Sequence, residues 1–248
     1  MSPSRAAPFP GASNLFFTRV GSQLVQSAST AFTPYQTNGF THGTSAADLD
    51  CDGDVDLVEI QANDNVPSNL FLNNGAGSFT RAPASALPIE SGAQNWQEGE
   101  FVDFDHDGDP DLYLGDGWPV MLTFEIDHPF TTHAAIRLWI NQKDGSFKDE
   151  SAGWGLPAEC SGEMMEPLYI RDMNHDGWPD VTIPAGCPEL GGGGILFNRG
   201  TTFSFFAYAN IASYLESNEA VPADVDGDGH LDLLFPARGA AGVWVRMP

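Results

Sequence analysis

Four short segments of the chain carry carboxylates at a spacing that suits a hard metal ion. Each segment reads carboxylate or Asn at positions 1, 3 and 5, Gly at position 6 and Asp at position 9. Calcium takes about six to eight oxygen ligands, and side chains at positions 1, 3 and 5 converge when the chain turns sharply around the Gly. The spacing therefore predicts four Ca2+ sites, in loops 48–56, 103–111, 172–180 and 224–232.

The predicted ligands occupy positions 1, 3, 5, 7 and 9, with position 7 contributing only its backbone carbonyl. In chain order they are Asp48, Asp50, Asp52, Asp54, Asp56, Asp103, Asp105, Asp107, Asp109, Asp111, Asp172, Asn174, Asp176, Trp178, Asp180, Asp224, Asp226, Asp228, His230 and Asp232. Loop 172–180 departs most from the pattern because Asn174 replaces a carboxylate, so we predict that its site is the weakest. His106 and His175 fall at position 4, where we expect solvated spacers.

The loops have two other interpretations. An EF-hand would place Glu at position 12 between two helices, but only the first segment has it, as Glu59; the others have Leu114, Ile183 and Phe235. The flanking residues form short β-type runs and lack the helical period. Asp and Gly are also good turn formers, so four turns that bind nothing remain the alternative.

The composition of the chain limits the classes of molecule that it could bind. Lys plus Arg total 10 against 34 Asp plus Glu, a formal charge of -24 that would repel nucleic acid and anionic lipid. No apolar run reaches the ~18 residues of a membrane helix, and the first residues lack the apolar stretch of a signal peptide. Cys160 and Cys187 flank the third loop and its strands and form a candidate disulfide pair, which leaves Cys51 as the free thiol.

The loops recur with a second element that predicts β-hairpins. The first Asp residues are Asp48, Asp103, Asp172 and Asp224, and segments such as NLFLNNGAGSFTRA from Asn69 follow as strand, Gly-bearing turn and strand. This spacing suits one four-stranded sheet per repeat, with an insertion at 115–133. In a closed ring, the amino-terminal hairpin NLFFTRVGSQLVQSA would complete the last sheet, although GVWVRMP would compete for the same strand position. The alternative is that the chain is a fragment of a longer array.

The segments HGTSAADLDCDGDVDLVEI and NLFLNNGAGSFT resemble the FG-GAP or VCBS repeat, closest to its bacterial and cartilage-protein branch. The resemblance implies an all-β propeller with about four four-stranded blades, as an open arc or a fragment of a propeller of about seven blades. It also implies a single repeat domain over 14–248 after an amino-terminal extension, 1–13, and an extracellular scaffold stabilised by calcium.

The end of the sheets opposite the loops is the predicted ligand face, because loops joining first and second strands leave the other segments there. Its candidates are His42, Trp96, Glu98, Trp118, Glu163 and Glu219. We expect a protein or glycan ligand, bound without catalysis, since no catalytic motif occurs. One alternative is a polysaccharide lyase or glycosidase that uses the 115–133 insertion, with Glu125 and Asp127 as its carboxylates. Another is a purely structural segment of a larger surface protein.

Overall fold

A computed structural model describes residues 15–26, 32–33, 41–61, 68–87, 96–116, 136–158, 169–183, 187, 189–190, 192–207, 221–235 and 243–246. The described residues form strands and no helix, so the predicted all-β class is confirmed. The strands are β1 (Phe17–Val20), β2 (Gln23–Gln26), β3 (Phe32–Thr33), β4 (Thr41–Ala47), β5 (Asp56–Gln61), β6 (Asn69–Asn73), β7 (Phe79–Arg81), β8 (Trp96–Val102), β9 (Asp111–Asp116), β10 (Ile136–Asn141), β11 (Phe147–Asp149), β12 (Tyr169–Arg171), β13 (Asp180–Ile183), β14 (Gly194–Asn198), β15 (Phe203–Ala207), β16 (Val221–Ala223), β17 (Asp232–Phe235) and β18 (Val243–Arg246).

Each repeat folds into one up-and-down antiparallel sheet. Strands β8 to β11 form the sheet of repeat 2 and strands β12 to β15 that of repeat 3, both in sequence order. Repeat 1 is β4 to β7 in order, with β3 added in parallel beside β7, and repeat 4 is β16 to β18. The blade-like sheets of repeats 2 and 3 are the four-stranded units that the repeat spacing predicts, whereas the described strands number five in the sheet of repeat 1 and three in that of repeat 4.

The Asp-rich loops join the first strand of each sheet to the second. Loop 1 (48–56) follows β4, loop 2 (103–111) follows β8, loop 3 (172–180) follows β12 and loop 4 (224–232) follows β16. Because neighbouring strands are antiparallel, the turns between the third and fourth strands lie at the same end of each sheet. Loops and hairpin turns of one repeat therefore meet at that end.

The hydrophobic core lies between consecutive sheets. Leu112 and Leu114 of β9 pack with Val58 and Ile60 of repeat 1, whereas Tyr113 faces the second core cluster. That cluster contains Ile170, Val181 and Ile183 from repeat 3. Successive side chains of a strand point to opposite faces, so β9 is buried on both sides. The sheet of repeat 2 is thus fixed between its two neighbours.

The amino-terminal hairpin forms a sheet of its own. Strands β1 and β2 pair with each other as a separate two-stranded sheet, and the sheet of repeat 4 ends at β18, within GVWVRMP. Among the described residues, this hairpin therefore does not add a strand to the sheet of repeat 4. No membrane-spanning helix occurs among the residues that the structure describes.

Candidate metal centre

All four loops share one backbone conformation. Position 4 has a positive φ in each loop: 61° at Cys51, 57° at His106, 58° at His175 and 77° at Gly227. The Gly at position 6 also has a positive φ, between 90° and 98° across the loops. The left-handed region favours glycine and costs other residues free energy. Its recurrence at non-glycine residues shows that the surrounding contacts impose the turn.

The carboxylate at position 1 holds that turn from inside. Oδ1 of Asp48 accepts the N–H of Asp52 at 3.1 Å, and Oδ2 accepts the N–H of Gly53 at 3.0 Å. The same pair of hydrogen bonds, from positions 5 and 6, forms on Asp103, Asp172 and Asp224. The carboxylate at position 5 in turn accepts the N–H of position 7 in every loop. Each loop is thus a set of nested carboxylate-to-amide bonds.

The carboxylate at position 9 is buried and fastens the loop to its sheet. In repeat 2, Oδ2 of Asp111 accepts the N–H of Phe104 at 2.9 Å, and Oδ1 accepts the N–H of Asn141 at 2.9 Å. Asp56 and Asp180 make the equivalent pairs of bonds in repeats 1 and 3. Each carboxylate oxygen keeps a further lone pair, so the residue can still meet a metal ion.

Three of the loops bring carboxylates together closely enough to hold a metal ion. The oxygens of positions 1, 3 and 9 lie within 4.8 Å of one another in loops 1, 2 and 4. The three groups are Asp48, Asp50 and Asp56; Asp103, Asp105 and Asp111; and Asp224, Asp226 and Asp232. In loop 3, position 3 is Asn174, whose side chain carries an amide oxygen in place of a carboxylate. All of these donors are hard oxygens, which calcium prefers.

A buried carboxylate oxygen of loop 1 also lacks a hydrogen-bond donor, which favours a metal ion at that place. Oδ1 of Asp50 is buried and has no hydrogen-bond partner among the described residues. Burial, followed by the nearby charge of Asp52, raises the pKa of Asp50. Such an acceptor is costly to bury unless a donor or cation meets it. A divalent ion between positions 1, 3 and 9 would meet it.

Burial likewise disfavours the ionised form at position 9. It raises the pKa of Asp111 to about 7 and that of Asp180 to about 6, and it raises the pKa of Asp56 as well. The charges of Asp105 and Asp107 add to the effect at Asp111, while the N–H groups of Asn141 and Phe104 oppose it. These carboxyls therefore retain protons at a pH where exposed aspartates are ionised, until a cation stabilises their charge.

Among the residues that the structure describes, a lysine and an arginine contact two of the loops. The ammonium of Lys143 lies 2.8 Å from Oδ2 of Asp109 and 3.2 Å from Oδ2 of Asp107, which raises the pKa of Lys143. Arg199 pairs with Asp176 of loop 3 at 3.2 Å. Lys143 has a φ of 65°, whereas Gly75 and Gly200 occupy the equivalent turn position in repeats 1 and 3. Lys143 thus contacts loop 2 from a turn position whose backbone conformation favours glycine.

Consecutive loops are neighbours, and position 4 of one loop contacts position 7 of the next. The thiol of Cys51 donates to Oδ1 of Asp109 at 2.7 Å. His106 stacks on Trp178, with ring centroids 4.0 Å apart. His175 meets His230 edge to face at 5.7 Å. The two histidines at position 4 are exposed, but the expectation of mere spacers is wrong, because the adjacent repeat lies against each of them.

The predicted ligand-face residues are only partly described. Trp118, Glu163 and Glu219 lie outside the described residues, as do Glu125 and Asp127 of the insertion. The side chains of His42, Trp96 and Glu98 are also outside the description, although their strands are described. Strand β4 has a register shift at His42, and β8 has one between Trp96 and Glu98. Both irregularities lie at the ends of the strands away from the loops.

The cysteines follow the sequence prediction as far as they are described. Cys51 is free and exposed, and its hydrogen bond to Asp109 raises the pKa of the thiol to about 11. Cys187 is disulfide-bonded, and Cys160 lies outside the described residues.

Comparison with known proteins identifies part of the chain. Residues 60–114 match the FG-GAP-like repeat family. The matched segment runs from the end of β5 to β9 and includes the whole of loop 2. No curated protein matches the chain.

Proposed function

We propose, from the match of residues 60–114 to the FG-GAP-like repeat family, that the chain is a calcium-stabilised propeller scaffold acting outside the cell. In this proposal each Asp-rich loop holds one Ca2+ through positions 1, 3, 5 and 9 and the carbonyl of position 7. The observation that carries it is the convergence of positions 1, 3 and 9 within 4.8 Å in loops 1, 2 and 4. The carboxylates within each cluster repel one another unless a cation neutralises their charge.

Calcium suits these clusters better than the smaller magnesium ion. The loops offer several carboxylates together with backbone carbonyls, whereas Mg2+ demands near-ideal octahedral geometry and keeps several waters. Binding should stabilise the folded state by mass action, since unfolded chains lack the site. The measurable consequence is a melting temperature that rises with calcium and falls with a chelator.

Calorimetric titration of chelator-treated protein with Ca2+ tests the proposal. We expect about four ions per chain, and one fewer for Asp103→Asn combined with Asp105→Asn. Glu150→Gln is the matched control, because Glu150 pairs with Lys148 outside the loops and should leave the stoichiometry unchanged. The absence of both binding heat and any calcium effect on melting would contradict the proposal.

The extracellular setting has its own support. Cys187 is disulfide-bonded, and disulfides persist mainly in oxidising compartments. Loops of this kind also bind calcium best where the free ion is abundant. Thiol titration of protein purified from its native compartment should find one reactive thiol per unfolded chain, that of Cys51. Three reactive thiols would count against this location.

The proposal places a protein or glycan ligand at the end of the sheets opposite the loops. Its support is the pair of register shifts in β4 and β8, each six residues before the first Asp of a loop. Bulges re-aim side chains and are frequent beside binding sites. Glycan and matrix-protein arrays should identify a ligand whose binding falls in Trp96→Ala but not in Trp178→Ala. The reverse pattern would move the ligand to the metal face.

A further inference from the structure

Asn141 connects two of the candidate metal loops. Its backbone N–H donates to Oδ1 of Asp111, position 9 of its own loop, at 2.9 Å. Its side-chain Nδ2 donates to the carbonyl of Leu49, position 2 of loop 1, at 3.0 Å. The residue is only 3 % exposed, so both bonds are shielded from competing water.

Asn198 makes the same connection one repeat further on. Its N–H donates to Oδ1 of Asp180 at 2.9 Å, and its Nδ2 donates to the carbonyl of Phe104 at 2.8 Å. Asn198 is fully buried. Two repeats thus place an asparagine between their own position 9 and position 2 of the preceding loop.

Within each loop the connection is continued by position 9. Oδ2 of Asp56 accepts the N–H of Leu49 at 2.8 Å, and Oδ2 of Asp111 accepts the N–H of Phe104 at 2.9 Å. A continuous path of hydrogen bonds therefore crosses three loops. In order it passes through Asp56, Leu49, Asn141, Asp111, Phe104, Asn198 and Asp180.

We propose that Asn141 and Asn198 are positioning residues that couple metal binding in adjacent loops, so that an ion in one loop raises the affinity of the next. The proposal rests on the calcium binding proposed above. An ion held by position 9 fixes that carboxylate and, through it, the peptide of position 2. The carbonyl of the same residue, in the following peptide, orients the next asparagine, whose N–H donates to the next position 9 carboxylate. The ordering done by the first ion is not needed again for the second.

Trp178 provides a site-specific measurement of this coupling. It occupies position 7 of loop 3, so it can sensitise the luminescence of Tb3+, an oxygen-seeking stand-in for calcium, bound in that loop. Trp178→Phe identifies the part of the signal that passes through this indole, and Asp172→Asn with Asp176→Asn identifies the part that comes from an ion in loop 3. Loop 2 is disabled by Asp103→Asn with Asp105→Asn. We expect the affinity of loop 3 for Tb3+ to fall at least about five-fold.

The same comparison in the Asn198→Ala variant tests whether the coupling between loops 2 and 3 passes through Asn198. There, disabling loop 2 should leave the affinity of loop 3 unchanged, because the connection is already cut. Asn73→Ala is the matched control: Asn73 makes the same N–H bond to Asp56, but its Nδ2 donates to Val55 of its own loop. In that background the five-fold dependence should persist.

Each contrary outcome has a defined meaning. An unchanged loop 3 affinity when loop 2 is disabled in the otherwise unmodified chain overturns the coupling, and this test needs no asparagine variant. Dependence that persists in Asn198→Ala assigns the coupling to another contact, such as His106 on Trp178, and overturns the role of Asn198. No Trp178-sensitised binding in the unmodified chain overturns the metal site of loop 3 itself, and with it the coupling.

Discussion

The imidazole of His106 lies flat on the indole of Trp178, with ring centroids 4.0 Å apart and planes inclined by 9°. The two residues belong to different repeats, at position 4 of loop 2 and position 7 of loop 3. The indole also packs closely against Gly200, because a Cβ added at that residue would come within 3.2 Å of the ring. The stack therefore fixes repeat 3 against repeat 2 at the surface.

Trp178→Ala should lower the free energy of unfolding by more than about 1 kcal/mol, because an aromatic pair alone is worth about that much beyond the area that it buries. Urea unfolding in saturating calcium measures the change, and a double-mutant cycle with His106→Ala isolates the pair. Trp178→Phe keeps a ring at the position and should lose less. A cycle with no interaction energy would show that the rings stack without stabilising the repeat contact.

The aspartate at position 9 should matter for folding even without metal. Asp111→Ala removes the acceptor of two buried N–H groups, those of Phe104 and Asn141, at a cost of about 2 to 5 kcal/mol. Asp107→Asn is the control, because Asp107 is exposed and accepts within its own turn. Urea unfolding in excess chelator separates this role from metal binding. Equal losses in the two variants would contradict the structural role of Asp111.

The sequence predicts the loops well because their chemistry is local. Positions 1 to 9 lie within one turn, so the Asp-Gly spacing specifies both the turn and the cluster of oxygens. The hairpins from Asn69, Ile136 and Gly194 are predicted for the same reason and are confirmed as β6–β7, β10–β11 and β14–β15. Alternating side chains and Gly-bearing turns determine them without reference to distant residues.

The contacts between repeats were missed because they join residues far apart in the chain. Asn198 and the carbonyl of Phe104 are separated by 94 residues, and no local pattern pairs them. A signal was nevertheless present: each apolar strand of the second element ends in Asn, at Asn73, Asn141 and Asn198. Aligning the hairpins on this residue would have marked it as a recurring structural position.

The metal-free protein should lose stability as the pH rises from about 4 to about 7. Burial raises the pKa of Asp111 from 3.8 to about 7 and that of Asp180 to about 6, so the folded state binds these protons more tightly than the unfolded state. Linkage then makes the free energy of unfolding fall across this window. Melting temperatures in chelator should be higher at pH 5 than at pH 7.5.

Saturating calcium should reverse this order, because protons and metal compete for the same carboxylates. Asp111→Asn removes one titrating carboxyl and should flatten the pH dependence in chelator. A melting temperature that rises with pH in chelator would show that other groups govern stability in this window.

Lys143 should weaken metal binding at loop 2. Its ammonium lies 2.8 Å from Asp109 and 3.2 Å from Asp107, so it stabilises the metal-free loop by supplying positive charge. A bound Ca2+ would repel that charge. Its φ of 65° is also one that glycine adopts more readily, as Gly75 and Gly200 do in the neighbouring repeats. Lys143→Gly therefore removes a competitor of the ion without disturbing the turn.

The expected result is a larger rise in melting temperature on adding calcium in Lys143→Gly than in the unmodified protein, since only the metal-free state loses a favourable contact. Lys148→Ala is the control, because it removes the same charge from a residue that pairs with Glu150 away from the loops. A calcium-induced rise that shrinks in Lys143→Gly would mean that the lysine supports the metal-bound loop. Raising the salt concentration should narrow the difference between the proteins, as screening weakens the contacts of Lys143 with Asp107 and Asp109.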